Sequence, residues 1–245
     1  MSPFFKILFL LAWLLLTQAC TTAPKTETPY DAEKITQAPD SLKAKASFEA
    51  TNRDGSKEKL TGVIFGVPGQ RYRLELSGTM GVGVASLLWN HGQWTLVFPT
   101  EEKYLKGNGE RITVPGTVLS DINVHLLAGL FWGNLLPFPK EDAVIKNQGK
   151  WLEWEPRIGM LYRAVVGEKG WVKSVETIEN GKAQVRVDYG DPQSISGRWL
   201  PKWARFSRGG KQFLEVSFKD MDEKASWGSG VWKLPVPKNY RQWSP

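Results

Sequence analysis

The sequence predicts a mainly β fold, and three observations carry that expectation. Apolar and polar residues alternate with period two along most of the chain, tight-turn signals separate the alternating runs, and a single segment has helical spacing. About eleven or twelve antiparallel strands and one helix result.

Two segments precede the first strand. Lys6 is followed by an apolar run from Ile7 to Leu16, the length of a signal-peptide core and well short of the ~20 residues a bilayer span needs. Residues 1–19 therefore read as an export signal. The run Leu16-Thr17-Gln18-Ala19-Cys20 resembles the bacterial lipobox, in which a small residue precedes a cysteine that is acylated and becomes the mature N-terminus. Cys20 is the only cysteine in the chain. An ordinary secretory signal would leave it as a free thiol, which secreted proteins seldom keep. Thr21 stands where bacteria with this sorting rule read an inner-membrane retention aspartate, which favours the outer membrane. Residues 20–39 are rich in Thr, Pro, Lys and Glu, the composition of a solvated tether, and extended they reach ~60 Å.

The domain is expected over residues 40–221. Ala44, Ala46, Phe48 and Ala50 alternate with Lys45, Ser47, Glu49 and Thr51, and Asn52 to Gly55 turns the chain into a second strand from Lys57 to Val67. Pro68-Gly69 leads to Tyr72, Leu74 and Leu76, interleaved with Arg71, Arg73 and Glu75. A strand from Ser86 to Asn90 includes Trp89, and after Asn90-His91-Gly92 come Trp94, Leu96 and Phe98. From Ser120 to Leu136 the period changes: Ile122, Leu126, Leu127, Leu130 and Phe131 recur at helical spacing, Ser120 or Asp121 can cap the start, and Pro137 stops it. Strands resume at Trp151–Glu155, Met160–Val166, Trp171–Glu179, Ala183–Tyr189, Lys202–Ser207 and Lys211–Lys219. Residues 222–245 form a Trp- and Pro-rich C-terminal segment, for which docking to an interface or partner is one reading.

The net charge of +7 is spread among acids along the strands, with no run of five or six like charges, so nucleic acid is not an expected partner. Catalytic and metal chemistry find little to use. His91 lies in a turn, and His125 lies on the helix with no second ligand at zinc spacing. Gly81-Val82-Gly83 lacks the third glycine of a dinucleotide loop, no nucleophile elbow is present, and Glu153 and Glu155 share a strand face as solvated carboxylates commonly do. No metal, no cofactor and no enzyme activity are expected. Aromatic residues make up 12% of the chain and fall on many strands, which suits burial of long acyl chains as well as an ordinary β core.

The segment Arg71-Tyr72-Arg73-Leu74-Glu75-Leu76, running into Ser77 to Ala85 and then Ser86 to Asn90, resembles the strand, protruding loop and next strand of the LolB family of outer-membrane lipoprotein receptors. The helix ending in Leu135-Leu136-Pro137 falls where that family places its amphipathic helix. Leu200-Pro201-Lys202-Trp203-Ala204-Arg205-Phe206 with Gly209-Gly210 is similar to its final hairpin. The resemblance implies an unclosed antiparallel β-barrel with a covering helix over an apolar cavity. It also implies a monomer that takes acylated lipoprotein, or other lipid cargo, from a periplasmic carrier of the same fold and inserts it into the outer membrane.

Met80, with Val82 beside it, matches the apolar loop tip that the family uses for insertion. Tyr72, Leu74, Leu76, Trp89, Trp94, Leu96 and Phe98 on the sheet, with Ile122, Leu126 and Leu130 on the helix, are the candidate cavity lining. A structural or sensory outer-membrane lipoprotein that docks a protein partner without passing lipid is the alternative, and an envelope hydrolase is a third class.

Overall fold

A computed structural model describes residues 41–52, 54–67, 70–109, 111–112, 114, 122–123, 144–146, 151–157, 159–167, 171–195, 198–223 and 227–243. The first half of the fold is an antiparallel meander of β1 (Leu42–Thr51), β2 (Lys57–Val67), β3 (Arg71–Ser77), β4 (Gly83–Asn90), β5 (Gln93–Phe98) and β6 (Lys103–Asn108). Two short strands follow, β7 (Arg111–Ile112) and β8 (Ile122–Asn123), which pair with each other. The second half contains β9 (Val144–Lys146), β10 (Trp151–Arg157), β11 (Met160–Val166), β12 (Val172–Glu179) and β13 (Lys182–Gly190). After the small hairpin of β14 (Gln193–Ile195) and β15 (Arg198–Leu200) come β16 (Trp203–Arg208), β17 (Lys211–Glu223) and finally β18 (Arg241–Gln242).

One sheet holds fourteen of these strands, in the order β18-β6-β5-β4-β3-β2-β1-β17-β16-β13-β12-β11-β10-β9. It has two edges and is unclosed. Strand β1 joins the halves by pairing with β2 on one side and β17 on the other. The sheet also curls. Nine strand spacings separate β6 from β12, roughly 43 Å if the sheet were flat. Yet Arg111, three residues beyond β6, donates to both carboxylate oxygens of Glu179 in β12 at 3.1 and 3.2 Å. Only a sheet rolled toward itself brings them together, and its buried face forms one apolar core drawn from both halves.

The register is stepped as well. Ser77, at the end of β3, is level with Thr61, Ser47, Ser217, Trp203 and finally Gly190 at the opposite end of β13. Stepping of this kind tilts the strands, as curling into a barrel requires.

The strand count exceeds the expected eleven or twelve because several strands carry no period-two signal. In β6, Lys103-Tyr104-Leu105-Lys106-Gly107-Asn108 puts a glycine on the apolar face, where the Trp94 ring fills the space a side chain would take. The helical expectation needs correction at its start. Ile122 and Asn123 are extended and pair with Ile112 and Arg111, an outcome a β-branched residue favours when a partner strand supplies the backbone hydrogen bonds. The rest of that helix, with Leu126, Leu130 and His125, lies outside the described residues, as does the segment containing Cys20. Among the described residues there is no α-helix.

Candidate lipid-binding face and loop

The inner face of the first half is laid out in rows that follow the register. The lowest row runs Leu42, Gly66, Tyr72, Trp89, Trp94, Gly107 across six strands. Its aromatic members are buried, and Tyr72 stacks on Trp89 with ring centroids 5.4 Å apart. The indole of Trp89 donates to the Gly109 carbonyl at 3.3 Å. Two residues along each strand lies an aliphatic row of Ala44, Ile64, Leu74, Leu87, Leu96 and Leu105. The third row carries Ala46, Gly62, Leu76 and Ala85, continued by Phe98.

Exposure rises along these rows. Tyr72, Trp89 and Trp94 are buried, Leu74 is half-buried between buried Ile64 and Leu87, and in the third row Leu76, Ala85 and Phe98 are all half-buried. The apolar face thus opens toward the β3–β4 end. The seven sheet residues proposed from the sequence lie together on this one face. Leu87, Ala85 and Leu105 belong beside them and went unrecognised. In β4 the unbroken run Leu87-Leu88-Trp89 hides the period that would have identified the first two.

The loop at that open end is a small closed turn. Gly78 N–H donates to the Val82 carbonyl at 2.9 Å and Gly81 N–H to the Gly78 carbonyl at 3.2 Å. The intervening 3-10 turn, Thr79–Gly81, holds Met80 at φ 61°, ψ 18°, in the left-handed region. For a residue with a long side chain that conformation costs ~1–2 kcal/mol. The result is a methionine with 94% of its surface exposed and Val82 beside it at 53%. The loop is held in place by hydrogen bonds even though glycines surround its tip.

The C-terminal segment is bound to the outer face of the same half. Trp227 packs edge-on against Phe65, with Lys43 over both rings. The Arg71 guanidinium lies 4.4 Å from the Trp232 ring centre, and Arg73 Nη1 donates to the carbonyls of Val231 and Lys233 at 2.7 Å and of Gly230 at 3.4 Å. Glu75 orients Arg73 and accepts the Ser86 hydroxyl. The chain then adds β18 to the sheet edge, parallel to β6. Trp243 comes to rest against Phe98 with centroids 5.7 Å apart, under Lys103 Nζ at 4.9 Å. An aromatic side chain from the last few residues therefore borders the open end of the apolar face.

The residues weighed for other chemistry have structural partners. Glu153 accepts from Arg163 at 2.7 Å, and Glu155 accepts the Gly159 N–H at 2.7 Å. His91 occupies the left-handed position of the β4–β5 turn at φ 45° and donates its backbone N–H to the Gln70 carbonyl. Among the described residues no cluster of three or more His, Cys, Asp or Glu could hold a metal ion. No described helix is long and apolar enough to cross a membrane.

No family model and no curated protein sequence matches this chain. Solved structures do share its fold. A putative outer membrane lipoprotein-sorting protein domain from Vibrio parahaemolyticus superposes with a TM-score of 0.58 at 11% identity, covering 82% of this chain and 92% of that one. A LolA superfamily protein from Nitrosomonas europaea gives 0.56 at 8% identity over 83% and 94%. A DUF1329 family protein from Desulfovibrio piger gives 0.57 at 11% over 82% and 92%. At these identities the likeness establishes the fold alone, one that this chain shares with these three proteins.

Proposed function

We propose that this chain is an outer-membrane-anchored lipoprotein that accepts the acyl chains of lipoprotein cargo from a periplasmic carrier of the same fold and delivers them into the outer membrane. The observation that carries this reading is the exposure gradient on the inner face, from buried Tyr72, Trp89 and Trp94 to half-buried Leu76, Ala85 and Phe98, ending at the exposed Met80. An acyl chain held on this face leaves it where Met80 projects.

No bond has to form or break. Exposing a methylene to water costs ~0.8 kcal/mol, so a sixteen-carbon chain crossing open solvent would meet a barrier of about 12 kcal/mol. Passing it from one apolar face to another, and then along an apolar tip into the bilayer, avoids most of that cost. Met80 suits the last step because its thioether side chain is apolar and adaptable, and because its turn aims it away from the sheet. An acylated Cys20 would hold the domain at the membrane. From Leu42 to the end of β3 is roughly 20 Å, two strand spacings across and five residues along, so a tether reaching ~60 Å lets the tip face the bilayer.

The test replaces Met80 with Asn, which tolerates the left-handed backbone and removes the apolar tip. Release of a labelled lipoprotein from a carrier onto the soluble domain should proceed as in the parent, while delivery into liposomes should slow about tenfold or more; Met80→Leu should restore it. Equal delivery by the parent and the Asn variant would remove Met80 from the mechanism. A soluble domain that never takes cargo from a carrier would favour the alternative, a lipoprotein that docks a protein partner without lipid transfer.

A further inference from the structure

Two polar groups on the inner face are buried and unpaired. The indole N–H of Trp94 belongs to a residue 8% exposed and the phenol O–H of Tyr189 to one 4% exposed, and neither has a hydrogen-bond partner among the described residues. They stand on different halves of the rolled sheet. Trp94 lies in the aromatic row, its ring spread over Gly107. Tyr189 lies in the row of Leu60, Phe48, Val216 and Ala204, one row beyond Ala46, Gly62 and Leu76.

Their neighbours show that this sheet can satisfy such groups. Trp89, one strand from Trp94, gives its N–H to Gly109. Trp203, on the other face beside Tyr189's strand, gives its N–H to Asp191 at 3.1 Å. A buried donor without an acceptor is destabilising, and native interiors carry few of them. A phenylalanine at either position would supply an apolar ring without that cost. The indole N–H can only donate, and the phenol has a proton to donate as well as an oxygen that accepts. Burial, and secondarily the Asp188 carboxylate, raise the pKa of Tyr189, so its phenol stays protonated through the physiological range.

We infer that Trp94 and Tyr189 are ligand-binding residues whose buried N–H and O–H donate to the carbonyl oxygens of acyl esters or amides, so that the inner face recognises acylated ligands and discriminates against plain hydrocarbon chains. The inference rests on the reading of this face as an acyl-chain site and adds the polar group it selects. An apolar wall binds any alkyl chain. A donor that goes unpaired unless a carbonyl arrives gives a preference for the linkage, because a ligand without the acceptor leaves it unsatisfied. Each such bond is worth about tenfold in affinity.

The experiment compares a diacylglyceryl-cysteine peptide with its dialkyl ether counterpart, which has the same chains and no ester carbonyl, by titration against the soluble domain. The parent should bind the ester peptide about tenfold more tightly or better. Tyr189→Phe and Trp94→Phe should each weaken ester binding about tenfold and leave ether binding unchanged. Tyr189→Phe should also unfold at the same temperature as the parent or higher, since the O–H it loses had no partner, and this keeps a folded variant available if Trp94→Phe packs poorly.

A phospholipid with the same chains forms a further arm. Tighter binding of the peptide identifies lipoprotein as the source of the carbonyl, and tighter binding of the phospholipid identifies membrane lipid. Equal binding of ester and ether by the parent, or equal losses for both ligands in Tyr189→Phe, would overturn the inference while leaving acyl transfer standing. Binding of none of these ligands would overturn both.

Discussion

The two halves of the sheet share one inner face but protect their outer faces by different means. On the second half, β10 to β17, opposite charges sit across from one another. Arg163 pairs with Glu153 at 2.7 Å and Glu176 at 3.9 Å, Arg186 with Asp188 at 2.7 Å, and Arg205 with Glu215 at 2.9 Å. The ladder passes from strand to strand in register and ends on β1, where Glu49 faces Glu215 and takes up Lys57 and Lys59. On the first half, Lys43, Arg71 and Arg73 stand close together with Glu75 as their acidic neighbour. The C-terminal segment supplies neutral acceptors there, namely backbone carbonyls and indole faces. Charge is balanced locally where the strands carry both signs, and by a strap of chain where they do not.

The inner face differs between the halves in parallel. Phe206, Val187 and Val216 are 0% exposed, whereas Leu74, Leu76 and Ala85 on the first half are only half-buried. The second half is a packed core, and the first combines packing with an opening. Phe206→Ala should therefore have the largest effect of any single change considered, about 3–5 kcal/mol of stability in urea unfolding, because the transfer energy is lost and a cavity is left. Leu76→Ala should cost about 1 kcal/mol and show itself chiefly as weaker binding of an apolar dye. Similar costs at the two positions would mean that the first half is as closed as the second.

The outer faces make the next comparison. Arg73→Ala removes the donor to the carbonyls of Gly230, Val231 and Lys233, one of charge-assisted strength, and should cost about 2 kcal/mol. It should also make the chain beyond Glu223 sensitive to limited proteolysis. Arg205→Ala breaks a more exposed pair, with side chains 47% and 30% exposed, and should cost under about 1 kcal/mol with no new cleavage. A strap that stayed protected in Arg73→Ala would owe its position to Trp227, Trp232 and β18 instead.

Much of this was legible in the sequence, for reasons tied to particular residues. The long strands β1, β2, β3 and β5 and those from β10 to β17 announced themselves, because one face is apolar, the other carries the charges, and the side-chain period is two, whereas β4 was marked by its neighbours and the turn after it. The curl was legible only through the family resemblance and not from the strand pattern, since it depends on the Arg111–Glu179 bridge and on stepped register, both long-range. Strand β6 was hidden by Gly107, whose role is to accommodate a tryptophan from the next strand. In the tail, Trp227, Trp232 and Trp243 suggested docking elsewhere. They are bound to this chain's own sheet, and composition cannot distinguish an indole that meets a partner from one that meets its own arginine. Ile122 shows the converse limit, a helical spacing overruled by a partner strand.

The end of the ion-pair ladder provides the smallest effect and a sign that can be checked. Glu49 on β1 accepts a hydrogen bond from Lys57 Nζ and has Lys59 at 3.5 Å. The hydrogen bond from Lys57 is the main reason its carboxyl titrates below the ordinary value of 4.5; desolvation opposes it, and the charges of Lys57 and Lys59 add to the lowering. A carboxylate whose folded pKa is depressed stabilises the fold above its unfolded pKa, and that contribution disappears as pH falls through the folded value. Glu49→Gln should therefore be slightly less stable than the parent at neutral pH in low salt, with the gap closing as pH falls through the depressed folded value and both side chains become neutral. The gap should also shrink in 1 M salt, because the Glu49 side chain is 28% exposed and its partners Lys57 and Lys59 are 61% and 80% exposed, so screening reaches the pair. Arg73 offers the comparison: its tail contacts join a cation to carbonyls, and its ion pair with Glu75 is less exposed than that of Glu49 with Lys57, so the deficit of Arg73→Ala should change less with salt. A Glu49→Gln deficit that widened on acidification would show that this end of the ladder is held by packing rather than by charge.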